Sequence, residues 1–417
     1  MSWLGRDPEF RKLFAGQAIS QVGSRITREG LPLTAYLILG ATPWQMGILS
    51  GSSAAAVLML GLFAGAFADR VRRRPIMIAA DLGRAALLFT VPLAALAGRL
   101  ALAHLVLVAA ACGILSVLFD VSYQAYVPSL VDSQSLLKAN SHLALTESMA
   151  EVAGPPLAGV LVQTLTAPIA IAFDAFSFLI SAASLAWIRR PEPPVRPSHE
   201  APPQHMLREI LEGLRFSWRN PYLRAMVLSS TTGAFFMGFQ MAVYIIFAMG
   251  TLHLAPAILG VLIAVGGASS TAGALAAPRL VERWGYGNSL IGATVLAGAA
   301  AFLIPMAHGP VWTGALYLAA AQAGDATWPV YHTNQLGIRQ TVTPSHLLAR
   351  ANSAAHLTFR GVFPVGALVG GALAGVIGIR ATMFLSASGF SLSVLWMVFS
   401  PIRGLRLSRA TTANLTM

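Results

Sequence analysis

Five charged residues sit where a helix crossing a bilayer has little use for them. The stretch GQAISQVGSRITREGLPLT, residues 16–34, lies inside an apolar run from about Leu13 to Leu39 and carries Arg25, Arg28 and Glu29 at its middle. Further along, Glu147 and Glu151 stand one helical turn apart in another apolar segment. Each such charge at a helix centre costs roughly 2.5–3.5 kcal/mol by insertion scales. The chemistry that fits this set is proton exchange. A carboxylate beside a guanidinium stays ionised; moved away from it in a dry site, it takes a proton. Two close carboxylates also rarely both stay ionised. The alternative is a static salt-bridge network that pins helices together, since such networks also perturb titration.

The elements that must position these residues follow from composition. The 417 residues are 56% hydrophobic and 11% charged, with a mean hydropathy of +0.67. A soluble domain is nearer about a quarter charged. Apolar runs of about 20 residues, the length that crosses a bilayer, recur along the chain. Twelve helices are expected, over 11–39, 43–68, 75–97, 103–127, 140–163, 167–188, 223–250, 255–278, 288–307, 311–335, 351–377 and 380–400. Ala41-Thr42-Pro43, His308-Gly309-Pro310 and Ile377-Gly378 are turn signals between them. The fold class is therefore all-α integral membrane, a multi-pass protein of the cell (inner or plasma) membrane. A single cysteine, Cys112, excludes an intrachain disulfide. No cleavable signal is expected, because the first apolar run is too long for one.

A net charge of +12 would suggest nucleic acid in a soluble protein, so the placement of the 28 Lys and Arg matters. Arg25, Arg28, Arg84 and Arg360 fall within spans, Arg99 and Arg380 lie on one side, and all the others lie on the opposite side. By the positive-inside rule both termini are then cytoplasmic. The basic excess is topological, and no nucleic-acid partner is expected.

The chain also repeats itself at a spacing of about 212: Lys138-Ala139-Asn140-Ser141 recurs as Arg350-Ala351-Asn352-Ser353, and Gly154 and Gly159 recur as Gly366 and Gly371. Asp69-Arg70 has a counterpart in Glu282-Arg283. Between the halves, RRPEPPVRPSHEAPPQ is a Pro-rich charged linker. After it, Met206, Leu207, Ile210, Leu211 and Leu214 recur at helical spacing, as in an amphipathic helix on the inner leaflet. The expected organisation is a six-helix bundle at 1–188, a linker at 189–222, and a second bundle with a short tail at 223–417. Two parallel six-helix repeats around a midplane site describe a secondary transporter.

Gly65-Ala66-Phe67-Ala68-Asp69-Arg70-Val71-Arg72-Arg73-Arg74 resembles the loop signature of the major facilitator superfamily, with Arg72 where that pattern has glycine. The resemblance implies twelve transmembrane helices in two pseudo-symmetric bundles and a gating role for Asp69. The run Leu207-Arg208-Glu209 through Glu212-Gly213-Leu214-Arg215-Phe216, then Asn220-Pro221, is similar to the branch holding enterobactin exporters and bacterial macrolide-efflux proteins. So is Arg339-Gln340 with Val342-Thr343-Pro344. Gly154-Pro155-Pro156-Leu157-Ala158-Gly159 resembles the antiporter motif of drug exporters. The resemblance spans the whole chain. It implies export of an amphipathic drug, siderophore or secondary metabolite by proton antiport with alternating access. An importer of the same fold, for a sugar or a lysophospholipid, and a non-transporting membrane sensor are the alternatives.

At 3.6 residues per turn, Gln17, Ser20, Gln21, Ser24 and Arg28 share one face of the first helix, with Arg25 and Glu29 on its shoulder. Asp120, Tyr123 and Gln124 form a patch on the fourth helix, so Arg25, Arg28, Glu29, Asp120, Glu147 and Glu151 are expected to cluster. The second half offers Gln240, Tyr244, Asp325, Trp328, His332, His356 and Arg360, with Asp325 and Arg360 a candidate pair. Phe235, Phe236, Phe239, Trp328 and Tyr331 are candidate walls of an apolar pocket. Gating candidates are Asp69, Arg70, Arg73, Arg74, Asp81, Arg84, Gly154 and Pro155, with Asp81 and Arg84 expected at the cytoplasmic end of the third helix. Asp174 is expected near a solvated helix end. No phosphate-binding loop and no zinc-ligand spacing occurs, so neither enzyme activity nor a cofactor is expected. The expected partners are a small-molecule substrate, protons and the lipid bilayer, with the chain acting as a monomer.

Overall fold

A computed structural model describes residues 7–68, 71–132, 134–192, 203–403 and 405, without the side chains of residues 59–68 and 203–210. Asp69 and Arg70, and the side chains of Met206, Leu207 and Ile210, therefore lie outside the described residues. The described chain is helical and, among those residues, has no strand. It divides into two compact units: Met1–Glu200 with Ala255–Ala264, and Ala201–Leu254 with Val265–Met417.

The first unit holds α1 (Pro8–Leu37), α2 (Pro43–Ala68), α3 (Arg73–Leu96), α4 (Leu102–Leu130), α5 (Leu136–Thr164) and α6 (Ala167–Ala186). Its helix ends are tied by side chains, as orphan terminal N–H and C=O groups require. Asp7 caps α1, accepting from the amides of Glu9 and Phe10 at 3.0 and 3.1 Å. Glu192 accepts from the first amides of α3, Arg73 N at 2.7 Å and Arg74 N at 3.3 Å. Arg74 in turn donates to the last carbonyls of α6, Leu185 at 2.8 Å and Ala186 at 2.5 Å.

The packing of α1 on α6 depends on small residues. A Cβ on Gly16 would fall on Ser184, one on Gly23 on Ser177 and Asp174, and one on Gly30 on Ile171. These glycines recur every seventh residue, which keeps one seam on the partner helix, and small residues let helices in lipid approach closely.

The second unit begins with α7 (Pro203–Arg219), followed by α8 (Pro221–Ile246), which runs into one π turn at Phe247–Thr251. Then come α9 (Pro256–Met306), α10 (Val311–Ala323), a 3-10 turn at Gly324–Ala326, α11 (Thr327–Val342), α12 (Ser345–Ile377), α13 (Ile379–Leu392) and the short α14 (Leu395–Val398). The first residues of α9, Ala255–Ala264, belong to the first unit, where they cross α5. A Cβ on Gly159 would meet the Pro256 carbonyl and one on Gly260 the Pro155 carbonyl, so each helix needs its glycine at the crossing. Gln163 closes it, its Oε1 accepting from the Ala257 amide at 3.2 Å.

Three elements differ from expectation. The eighth and ninth spans are not separated by a loop: α9 is continuous but for Gly285, whose φ of 79° makes the bend that other residues resist. The tenth span is two helices joined by the 3-10 turn that carries Asp325. The amphipathic helix α7 docks on protein: its Gly213 and Ser217 are buried, Gly213 lying against the Arg350 carbonyl, and Glu212 pairs with Arg350 at 2.8 Å. Leu211 and Trp218 remain exposed on its far side. Among the described residues seven helices, α3, α4, α6, α8 with its π turn, α9, α12 and α13 with α14, are long and apolar enough to cross a membrane by themselves. The charged helices α1 and α5 are not among them.

Glycine substitutions test the α1–α6 seam. Gly23→Val should cost about 1–3 kcal/mol, as overpacking does. Gly292→Ala, where a Cβ meets nothing within 4 Å, should be neutral or stabilise by up to about 1 kcal/mol. Thermal unfolding of the purified variants in one detergent makes the comparison, and equal melting would contradict the close seam.

Candidate functional site

The expected charge cluster forms between α1 and α5. Arg25 Nη2 lies 2.5 Å from Glu151 Oε2 and 3.9 Å from Glu147 Oε1. Arg28 Nη1 donates to Glu151 Oε1 at 3.3 Å, and its Nε is 3.6 Å from Glu29. Glu151 is thus shared by two guanidiniums, one on each carboxylate oxygen. The network is graded in exposure: the Arg25 side chain is 17% exposed and that of Glu29 12%, against 48% for Arg28 and 64% for Glu147. One end is packed and the other open.

Gly154 explains how the helices come so close, since a Cβ there would strike the Arg25 Cβ. The glycine of the Gly-Pro-Pro stretch therefore makes room for the stem of the arginine. Pro155 follows it, buried.

Some expected members are placed differently. Gln17 is 4% exposed and donates to Ser181 Oγ at 3.1 Å, so it belongs to the α1–α6 seam and not to the polar face; Gln21 is half-buried. Asp120 and Gln124 are exposed on α4, and Tyr123 stacks on Phe119 at 5.9 Å.

A second ionic group lies in the core of the same unit. Asp81 is fully buried and Arg84 is 6% exposed, and both lie about two to three turns inside α3. They are hydrogen-bonded to each other. The Arg84 guanidinium also lies between two rings, 4.0 Å from the centre of Phe178 and 4.6 Å from that of Phe119, with Ser116 Oγ at 3.3 Å. Asp174, 1% exposed instead of solvated, accepts from Ser177 Oγ at 2.9 Å and lies within electrostatic range of Arg84 and Asp81. The signal for this group was in the sequence: Asp81 and Arg84 continue the buried stripe of Ile76, Met77, Ala80, Ala85 and Leu88 on α3.

The loop arginines are structural anchors in this structure. Arg74 caps α6, and Arg73 Nη1 reaches the Ala125 carbonyl of α4 at 3.2 Å.

In the second unit, Gln240 and Tyr244 are half-buried on α8. Asp325 turns toward Gly266 of α9. The aromatic candidates separate into two sets. Phe235, Phe236 and Phe239 pack on one another with centroids 5.1–5.3 Å apart, against Gly366, Gly370 and Gly389. Trp328 and Tyr331 instead line a small open cavity with Phe359, Phe390 and several Ser and Thr. Among the described residues no group of His, Cys, Asp and Glu could hold a metal ion.

Comparison with known proteins agrees with this architecture. The model of the transmembrane secretion effector family matches residues 5–414. The enterobactin exporter EntS of Citrobacter koseri is 27% identical over 418 residues, covering 97% of this chain and 94% of its own. EntS of Escherichia coli O1:K1 is 26% identical over 407 residues, covering 95% and 92%. Among solved structures, an inward-facing bacterial homologue of the iron transporter ferroportin superposes with a TM-score of 0.75 at 16% identity, covering 94% of this chain and 98% of that one. The nucleoside transporter NupG gives 0.72 at 12%, covering 96% and 100%. The fold is that of the major facilitator transporters.

Two substitutions separate the ionic groups energetically. A double-mutant cycle of Arg25→Gln and Glu151→Gln should return a coupling of roughly 1–2 kcal/mol. Arg84→Leu, which strands buried carboxylates without their cation, should cost about 3–5 kcal/mol. Melting of the purified variants measures both; additive effects in the cycle would mean that the Arg25–Glu151 contact contributes nothing.

Proposed function

The chain belongs to the transmembrane secretion effector family, a multi-pass membrane transporter and not an enzyme, and on that premise we propose that it exports an amphipathic, siderophore-like small molecule by proton antiport. The observation that carries the coupling is the shared carboxylate of Glu151, held by Arg25 at 2.5 Å and Arg28 at 3.3 Å and open to one side. The cargo class follows from the EntS relatives, whose likeness runs over nearly the whole chain.

The proposed cycle moves charge by moving helices. With α1 against α5, the guanidiniums pair with Glu151 and Glu147. When the access state changes and α1 draws away, a carboxylate left without its cation is neutralised by a proton. Return of α1 expels that proton to the other side. Protons thus enter as cargo leaves. Both termini lie in the cytoplasm in this reading, as the Lys and Arg distribution requires. Asp69, Arg70, Arg73 and Arg74, together with Asp81 and Arg84, would serve the gate.

Cells expressing the protein should accumulate less of a siderophore or dye from a test panel, and a protonophore should abolish the difference. Glu147→Gln and Glu151→Gln should each lower that protonophore-sensitive export by about tenfold or more, in the range that proton-transfer groups contribute, at unchanged membrane expression. Undiminished export in both variants would make the network a helix pin and leave the proton elsewhere.

A further inference from the structure

The helix α7 has a second side that the protein leaves bare. Its inner side is fixed: Gly213 lies against the Arg350 carbonyl, Ser217 is buried, and Phe216 packs on the cluster of Leu223, Met226 and Val342. At 3.6 residues per turn the opposite side carries Leu211, Arg215, Trp218 and Arg219. Leu211 is 63% and Trp218 52% exposed, and both arginines are exposed. Leu211 and Trp218, two turns apart, form one edge of this stripe, and Arg215 and Arg219, one turn apart, form the other. Among the described residues neither guanidinium has an ion pair; Glu212, three residues before Arg215, is taken by Arg350 at 2.8 Å. With its inner side packed, the helix cannot roll to hide the stripe.

The depth of the stripe follows from α8. Only Asn220 separates the two helices. Its side chain caps α8, accepting from the Tyr222 and Leu223 amides at 3.0 and 3.2 Å, so the junction is short and tied. With its π turn α8 runs for 31 residues. At 1.5 Å each this is about 46 Å, close to the roughly 40–45 Å of a bilayer with its headgroups. The start of α8 and the end of α7 therefore lie at headgroup level, where tryptophan concentrates and acidic lipids attract arginine. Water would leave Leu211 and Trp218 bare, and hydrocarbon would leave Arg215 and Arg219 without a counterion. We propose that the outer side of α7 binds one acidic phospholipid of the leaflet at which α8 begins, its phosphate between Arg215 and Arg219 and its acyl chains along Leu211 and Trp218. Guanidiniums match a phosphate with parallel N–H donors, and a headgroup of net negative charge leaves them no competing cation. Such a lipid is held whatever the cargo and its coupling.

Full-length protein in maltoside micelles is titrated with phosphatidylglycerol or phosphatidylcholine carrying brominated acyl chains, which quench tryptophan on contact. The part of the quenching that Trp218→Phe removes reads this site alone. In that part phosphatidylglycerol should bind at least about tenfold more tightly than phosphatidylcholine. Arg215→Gln with Arg219→Gln should remove most of the preference. Arg11→Gln with Arg99→Gln, which takes the same charge from exposed positions of the first unit, should keep it. Quenching untouched by Trp218→Phe, equal affinity for the two lipids, or a preference that survives loss of both α7 arginines would overturn the assignment. So would competition by glycerophosphoglycerol as strong as by the intact lipid, which would make the ligand a free anion. A dimer dispersed by Leu211→Asp would give the face to a second copy and overturn it too. Should the arginine variant fail to fold, the comparison of the two lipids at Trp218 still decides.

Discussion

A charge inside a bilayer needs a partner or a path to water, and this constraint shapes each half of the molecule. The hydrocarbon supplies no compensation for an ionised side chain, so every charged residue within a span must be explained by what stands beside it. Arg25 and Arg28 answer with Glu151, the α1–α5 network spanning packed and open ends. Arg84 answers with Asp81 and two aromatic faces, entirely within the core of the first unit. Different solutions on neighbouring helices argue for different roles. A network half-open to solvent can exchange protons and rearrange, while one sealed among rings holds α3 to its neighbours.

Close approach is what makes those pairings available. An arginine stem passes over α5 only because Gly154 has no side chain, and α1 nests against α6 only because Gly16, Gly23 and Gly30 recur on one seam. In lipid there is little hydrophobic gain in bringing helices together, so small residues and interhelical polar contacts do most of that work. The reciprocal pair Gly159 and Gly260 repeats the device where α5 meets the start of α9. Conversely, bulky Phe235, Phe236 and Phe239 fill the spaces left by the glycines of α12 and α13, which is why these rings are packing and the rings of Trp328 and Tyr331 are exposed to a cavity.

The fold was legible in the sequence because membrane burial writes itself in long apolar runs. The α1–α5 cluster was legible too, because a charge in such a run is conspicuous and helical periodicity says which charges share a face. Depth and direction were harder to read. Asp81 and Arg84 looked like helix-end residues because they follow the basic loop closely, yet their stripe on α3 runs straight into the core. Gln17 shares a periodic face with Gln21 and Arg28, but the seam with α6 captures it through Ser181. The turn at Gly285 replaced an expected loop because one residue with positive φ suffices to redirect a chain whose hydrogen bonding continues on both sides.

The central claim is that the open side of the α1–α5 network meets water and not lipid. Single cysteines introduced in a Cys112→Ala background test it with a membrane-impermeant thiol reagent. Ala144 lies one turn before Glu147 on the face of the network, whereas Met149, 63% exposed, points the other way. The account predicts that Ala144→Cys reacts readily in intact membranes and that Met149→Cys stays inert. Equal reactivity at both positions, or labelling at Met149→Cys alone, would contradict it.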